Sequence, residues 1–208
     1  MRLTFLLYKG VEPIDLAAIG VVSMARRVIP EVSYQTVAAS LEPVEMSNGL
    51  RVLPDITYDQ CTTADVLMVP GGPGWPEASR DAPTLAFIQR MAPEATICSV
   101  CTGAMILAAA GTLDGREATT KKEVVPPEVS PLQELQRRYP QVRAVSALVV
   151  DTGAVITGGG VSLCIDAVLH LLGRRYGAAA ADEVARIIEY SHAHTANKQR
   201  LPIVEAAV

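Results

Sequence analysis

Short apolar runs alternate along the chain with longer stretches whose apolar positions recur every three or four residues. Leu3–Tyr8 is a compact apolar run followed by a glycine turn and predicts a buried strand. Asp15–Arg27 spaces its apolar residues as a helix does and ends on basic residues, which suit a helix C-terminus. Val32–Ala39 predicts the next strand. Ser47-Asn48-Gly49 is a turn signal ahead of Leu50–Leu53 and predicts a small hairpin. The run Asp65–Val69 reads as a buried strand opening into the glycine-rich loop Pro70-Gly71-Gly72-Pro73-Gly74. Pro83–Met91 predicts a helix, Ala95–Val100 a buried strand, and Thr102–Ala110 a helix closed by Gly111. Beyond a Pro-rich loop come a helix near Pro131–Arg138, strands at Val142–Val150 and Ala154–Thr157, and helices at Val161–Tyr176 and Ala178–Tyr190. Strands alternating with helices predict an α/β fold, a mostly parallel sheet with helices on both faces. One domain over residues 1–190 is expected, followed by a C-terminal tail, 191–208. Ligands of such sheets bind at the carboxyl ends of strands. Pro70–Gly74 and Val100–Gly103 are the two strand ends that stand out.

Composition narrows the core. Half of the 208 residues are hydrophobic but only 4% are aromatic, so Ala, Val, Leu and Ile must fill the interior. The formal net charge of −4 argues against a nucleic-acid-binding surface, which is normally basic. No apolar run is long enough to cross a membrane. The start, MRLTFLLYKGVEP, lacks the features of a signal peptide, and four cysteines in such a chain read as free thiols. A cytoplasmic protein is expected, with neither nucleic acid nor membrane as partner.

Two of those cysteines, Cys98 and Cys101, form a C-x-x-C pair. Three extended steps separate their Cα atoms by about 10 Å, and the side chains point to opposite faces of the strand. A disulfide needs Cα atoms roughly 4.4–6.8 Å apart, so neither a disulfide nor a shared metal is expected. Cys98 reads as a buried apolar filler. Cys101 sits at a strand-to-helix junction, followed by Thr102 and Gly103. There the positive end of the helix lowers a thiol pKa, and the arrangement is that of a nucleophile elbow with Cys in place of Ser. The other reading is a capping or buried cysteine. The loop Gly71-Gly72-Pro73-Gly74 ends a neighbouring strand. With Thr102 its N–H groups would form an oxyanion hole, or it is a tight turn that merely needs glycine. It lacks the ending of a P-loop and the spacing of a dinucleotide fingerprint.

The motifs "VPGGPG" at Val69–Gly74, "SVCTGAMILAAAG" at Ser99–Gly111, "GREATT" at Gly115–Thr120 and "TGGGVSLCIDAVLHLL" at Thr157–Leu172 together resemble the ThiJ/PfpI superfamily. The resemblance runs from about Leu3 to Tyr190. It implies a flavodoxin-like three-layer sandwich of the glutamine-amidotransferase class, with Cys101 as nucleophile. Within the superfamily, "VEPIDLAAIG" and "CTGA" look closest to the isonitrile hydratase branch, cysteine-dependent lyases that hydrate isonitriles to N-substituted formamides. That branch also needs an aspartate after the first strand, matched by Asp15, and a threonine after the cysteine, matched by Thr102. From the residues alone, Asp15 is equally a helix cap. Glu12 is a second nearby carboxylate, either a solvated loop residue or the acid of a glutamate-dependent branch. Gly71, Gly72 and Gly103 would shape the oxyanion and substrate site. A small-molecule substrate, no metal or organic cofactor and a homodimer are expected, with the tail at the dimer interface. A related branch carries helix-turn-helix segments, and none follows Tyr190 in this sequence.

One position departs from the pattern. Many relatives carry a histidine after "ATT", where this chain has Lys121. Of the three histidines, His170 reads as a core residue of a helix, and His192 and His194 lie in the tail. A Cys–His hydrolase needs an imidazole to move protons, so the departure counts against peptidase and amidase chemistry and less against isonitrile hydration. Two other classes stay open: a thiol enzyme acting on glyoxals or as a stress hydrolase, and a small-molecule or redox sensor in which Cys101 is oxidised.

Overall fold

The apolar runs become the centre of one sheet. In the computed structural model, which describes residues 1–205, the strands are β1 (Arg2–Leu6), β2 (Ser33–Ala38), β3 (Ile56–Thr57), β4 (Val66–Val69), β5 (Thr96–Ser99), β6 (Val149–Asp151), β7 (Val155–Gly158) and β8 (Ile203–Glu205). They line up in the order β8-β6-β7-β5-β4-β1-β2-β3, and all neighbours are parallel except β6 and β7. The strands β1, β4 and β5 lie in the middle and are almost wholly buried, with both faces covered.

The period-two alternation of side chains divides the interior into two cores. Leu67 and Ile97 point to one face, under α2 (Trp75–Ala78), α3 (Ala82–Met91), α4 (Gly103–Ala109) and α5 (Pro131–Arg138), with Ala78, Phe87, Met105, Ile106 and Leu135. Met68 and Cys98 point to the other, under α1 (Ala17–Ala25), α6 (Cys164–Tyr176) and α7 (Ala178–Ile187), with Leu3, Val22 and Val168. The result is the flavodoxin-like three-layer sandwich. Cys98 is fully buried in the second core, and all four cysteines are free.

Several boundaries differ from the sequence pattern. Asp15–Arg27 divides into a 3-10 turn, Pro13–Leu16, and α1. The run Val142–Val150 divides into Arg143–Ala144, which pairs with Glu117–Ala118, and β6. The expected hairpin is a two-residue pairing of Val44–Glu45 with Arg51–Val52. The tail folds back on its own chain: Ser191–Arg200 is a helix, Leu201 is buried, and β8 joins the sheet edge beside β6. Its apolar end therefore has a partner within the subunit as far as Glu205, and the rest of the expected tail, residues 206–208, lies outside the described residues.

Candidate active site

The elbow forms where β5 ends. Cys101 has φ 53°, in the left-handed region that a non-glycine residue rarely adopts. Its backbone is held on both sides: its N–H donates to Gly159 O at 2.9 Å, and its carbonyl accepts from Thr120 Oγ1 at 2.6 Å. Close packing behind it requires glycine. A Cβ on Gly103 would lie 2.1 Å from the Val69 carbonyl oxygen, and one on Gly71 would lie 2.3 Å from Thr102 N. The glycine loop and the elbow thus approach more tightly than any side chain permits.

Asp15 lies on the 3-10 turn after β1 and is fully buried. It is not a helix cap. Its Oδ2 accepts from the Gly71 N–H at 2.7 Å, across the crevice from its own turn. The carboxyl interacts with the Cys101 thiol, while its second oxygen, Oδ1, is buried without a fully formed hydrogen bond. Burial pushes the Asp15 pKa up to about 7, and the Glu12 charge adds to this, against the pull of the Gly71 N–H and the thiol. A carboxyl in this state exchanges its proton near neutrality, as a general acid or base must.

The thiol differs from the expectation drawn from the helix dipole. Burial, then the Asp15 charge, push the Cys101 pKa up to about 12. The N–H groups of Val161 and Thr102 and the Lys121 charge act in the other direction but are outweighed. Loss of water around a nearly buried sulfur dominates the partial charge of a seven-residue helix. The thiol is thus protonated at neutral pH, beside a carboxyl that can accept its proton.

The oxyanion expectation also changes. The N–H of Gly71 is committed to Asp15, that of Gly72 to Thr102 Oγ1 at 2.9 Å, and that of Gly103 to Val100 O. None of the three is free to stabilise negative charge. The Thr102 hydroxyl is occupied with the Gly72 backbone and makes no bond to Asp15. The N–H groups that do point at the sulfur are those of Thr102 and Val161. Val161 has φ 57°, unusual for a β-branched residue, so the chain holds a strained conformation where its N–H meets the Cys101 sulfur. The glycine run at 158–160 is the only sequence sign of this second tight turn.

A cleft of about 590 Å³ opens over Cys101. Its apolar wall includes Ile14, Trp75, Val124, Val129 and Val161, and its charged groups are Glu12, Lys121 and Glu128. Cys101 itself is only 3% exposed, so a reacting atom must reach it from the floor of the cleft. Lys121, in the place of the histidine, donates from Nζ to the Glu123 carbonyl. No histidine lines the cleft. His170 Nε2 pairs with Asp151 Oδ2 at 2.8 Å and His194 Nδ1 with Asp166 Oδ1 at 2.6 Å. His170 thus shares the Asp151 carboxylate with Arg174 in a polar network rather than lying in simple core. Among the described residues no group of three or more His, Cys, Asp or Glu side chains is placed to hold a metal.

A profile described as the DJ-1/PfpI family matches residues 1–173. The chain belongs to this family. It is 34% identical over 196 residues to the isonitrile hydratase of Pseudomonas putida, covering 93% of this chain and 80% of that protein. It is 29% identical over 205 residues to the HTH-type transcriptional regulator GbdR of Pseudomonas aeruginosa, covering 96% of this chain and 53% of the regulator. The chain thus spans about half the length of that regulator. Among solved structures, a THiJ/PfpI family protein from Pseudomonas syringae superposes with a TM-score of 0.78 at 28% identity, covering 94% of this chain and 83% of that one. DJ-1/PfpI membership thus embraces both an enzyme and a regulator among the relatives of this chain.

Peptide mapping provides a direct check on the site. Among the described residues Cys101 is the only cysteine that lines the cleft. With iodoacetamide it is expected to react first, because the cleft gives the reagent a route to it, while Cys61, Cys98 and Cys164 are buried away from the cleft and stay slow in the native protein. Labelling of Cys98 as fast as Cys101, or a disulfide between them, would contradict the assignment.

Proposed function

We propose that the protein hydrates isonitriles to N-substituted formamides, with Cys101 as nucleophile and Asp15 as the group that moves protons. One observation carries the reading: a buried carboxyl with a pKa near 7 faces the elbow thiol, and no imidazole lines the cleft. Acyl transfer with a Cys–His pair lacks its base here. Addition of a thiol to the terminal carbon of an isonitrile needs only one carboxylate. The Asp15 carboxylate takes the Cys101 proton as the sulfur forms a bond to that carbon. The same proton then passes from Asp15 to the carbon, leaving a thioimidate, R–N=CH–S–Cys101. Water attacks this carbon and loses a proton to Asp15. Asp15 passes that proton to the nitrogen, the C–S bond breaks as the added hydroxyl becomes the carbonyl, and its proton returns to the sulfur, so that R–NH–CHO leaves with the thiol restored. Overall, one isonitrile and one water give one formamide, with no change in oxidation state.

The narrow approach to Cys101 supports a small, linear reacting group, and the similarity to the P. putida enzyme supports the substrate class. The N–H groups of Val161 and Thr102 stabilise the sulfur as it gains charge. The protein is incubated with an alkyl isocyanide and formamide is followed by mass spectrometry, beside the loss of methylglyoxal. Formamide is expected with the wild type and none with Cys101→Ala. Consumption of methylglyoxal without formamide formation would assign a glyoxalase-type activity instead.

We further propose a cytoplasmic homodimer. Leu53 and Val125 are exposed apolar side chains outside the cleft, 67% and 72% accessible, which a partner subunit would cover. Light scattering at micromolar concentration should give twice the chain mass, and a monomer would rule the dimer out.

A further inference from the structure

A second sulfur lies near Asp15. It belongs to Cys164, the first residue of α6, which is fully buried and outside the substrate cleft. Its Sγ donates to the Ile14 carbonyl at 3.6 Å, one residue before Asp15. The Ala18 N–H, three residues after Asp15, points back at the same sulfur. That N–H belongs to the first turn of α1, where such groups have no partner further down the helix. One thiol thus spans both ends of the segment that carries Asp15 and ties it to α6. The same stretch of chain, entering α6, presents the Val161 N–H to Cys101. We propose that Cys164 is a positioning residue, clamping the Ile14–Ala18 turn to the start of α6 and keeping Asp15 dry against Cys101. The proposal rests on the Asp15–Cys101 pair described above, but not on the identity of the substrate.

The charged and titratable groups that face Asp15 define what the clamp can do. They are Cys101 from the elbow, Glu12 from its own turn, Tyr8 from the end of β1 and Cys164 from α6. Tyr8 donates its hydroxyl to the Pro70 carbonyl at 3.0 Å, and burial and the Asp15 charge raise its pKa, so it stays neutral. Cys164, itself raised by burial and then by the Asp15 charge, also stays neutral. Two uncharged side chains therefore keep water from the carboxyl, and of these only Cys164 holds the Asp15 segment at two points. A serine in its place keeps both hydrogen-bonding roles but is shorter and draws water. An alanine removes both bonds and leaves a void.

The test reads the pH dependence of Cys101 alkylation by iodoacetamide, with Cys164→Ser and Cys164→Ala beside the wild type and thermal unfolding as the control. Cys164→Ser is expected to move the inflection near pH 7 downward by about one unit and to lower the plateau rate about tenfold, because water favours the ionised carboxyl. Cys164→Ala should do the same or more. In an Asp15→Asn background the Cys164→Ser change should have no such effect, since the coupling passes through the carboxyl. If Cys164→Ser does not fold, Cys164→Val, which fills the space but makes neither hydrogen bond, carries the test: the released Ile14–Ala18 turn lets water reach Asp15, and the inflection should again move downward. An unmoved inflection and rate in a folded variant overturn the proposal, as does an equal shift in the Asp15→Asn background. A protein that shows these shifts but yields no formamide from isonitriles keeps the clamp and loses the proposed substrate.

Discussion

Asp15→Asn is expected to abolish turnover and to make the protein more stable at alkaline pH. The two effects have one cause. The carboxyl ionises near 7 in the folded protein against an ordinary value of 3.8. An asparagine retains an oxygen for the Gly71 N–H but cannot accept and return the thiol proton. The loss of general acid–base action amounts to roughly 10²–10⁴-fold in rate. The stability effect follows from linkage. The raised pKa means that folding favours the protonated carboxyl. Its contribution is full below about pH 4 and is lost as pH rises through 7, where the carboxylate is buried without full solvation. The difference from an uncharged residue is on the order of 4 kcal/mol above pH 7. Asp15→Asn should thus melt higher than the wild type at pH 8, with the gap closing toward pH 4. A mere helix cap gives the opposite pattern, with Asn tolerated in activity and neutral in stability. Glu12→Gln is the control. Should it abolish formamide formation while Asp15→Asn stays active, the pairing of Asp15 with Cys101 is not the catalytic one.

The mostly parallel sheet and the strand-to-helix junction at Cys101 were legible because both depend on patterns that repeat or punctuate, whereas the order of the strands was not. The buried runs at β1, β4 and β5 are too short and too β-branched for helices, and the glycines at 71, 72 and 103 mark where backbone meets backbone. What the pattern could not reveal was decided by groups distant in sequence. The helix Ser191–Arg200 has almost no apolar stripe, so nothing in its sequence marks it as packed. It is held instead by buried Asp166, which accepts from Asn197 Nδ2 and Tyr190 Oη and pairs with His194. The thiol pKa was misjudged because the helix dipole is visible in sequence and burial is not. The N–H of Val161 was missed for a third reason: a β-branched residue is a poor candidate for a left-handed conformation, and only tertiary packing enforces it. Cys164 looked like another apolar helix residue, since its hydrogen bonds run to a turn 150 residues away.

Cys101 in the wild type is expected to gain reactivity up to about pH 7 and then to level off, far below the range of an ordinary thiol. The reason lies in counting protons on the pair. At low pH both groups are protonated and the sulfur is a poor nucleophile. Near 7 the first proton leaves, nominally from Asp15, while the second is held to about 12. These values belong to the coupled pair, which shares its one remaining proton between carboxyl and sulfur across that whole interval. The fraction of shared states with thiolate and protonated acid is then constant, so alkylation and isonitrile turnover both rise about tenfold per unit below 7 and flatten above it. Asp15→Asn breaks the sharing. Its Cys101 should react more slowly at pH 7, and its rate should keep rising through pH 9 with no plateau, because only hydroxide can then remove the proton from a buried thiol. Lys121→Ala should leave the inflection in place and lower the plateau modestly, since the lysine charge is the weakest of the influences that favour thiolate. Alkylation profiles of the three proteins decide the matter. An inflection near 8.5 to 9 in both the wild type and Asp15→Asn would mean that the thiol ionises alone. The carboxyl would then be a bystander in the chemistry.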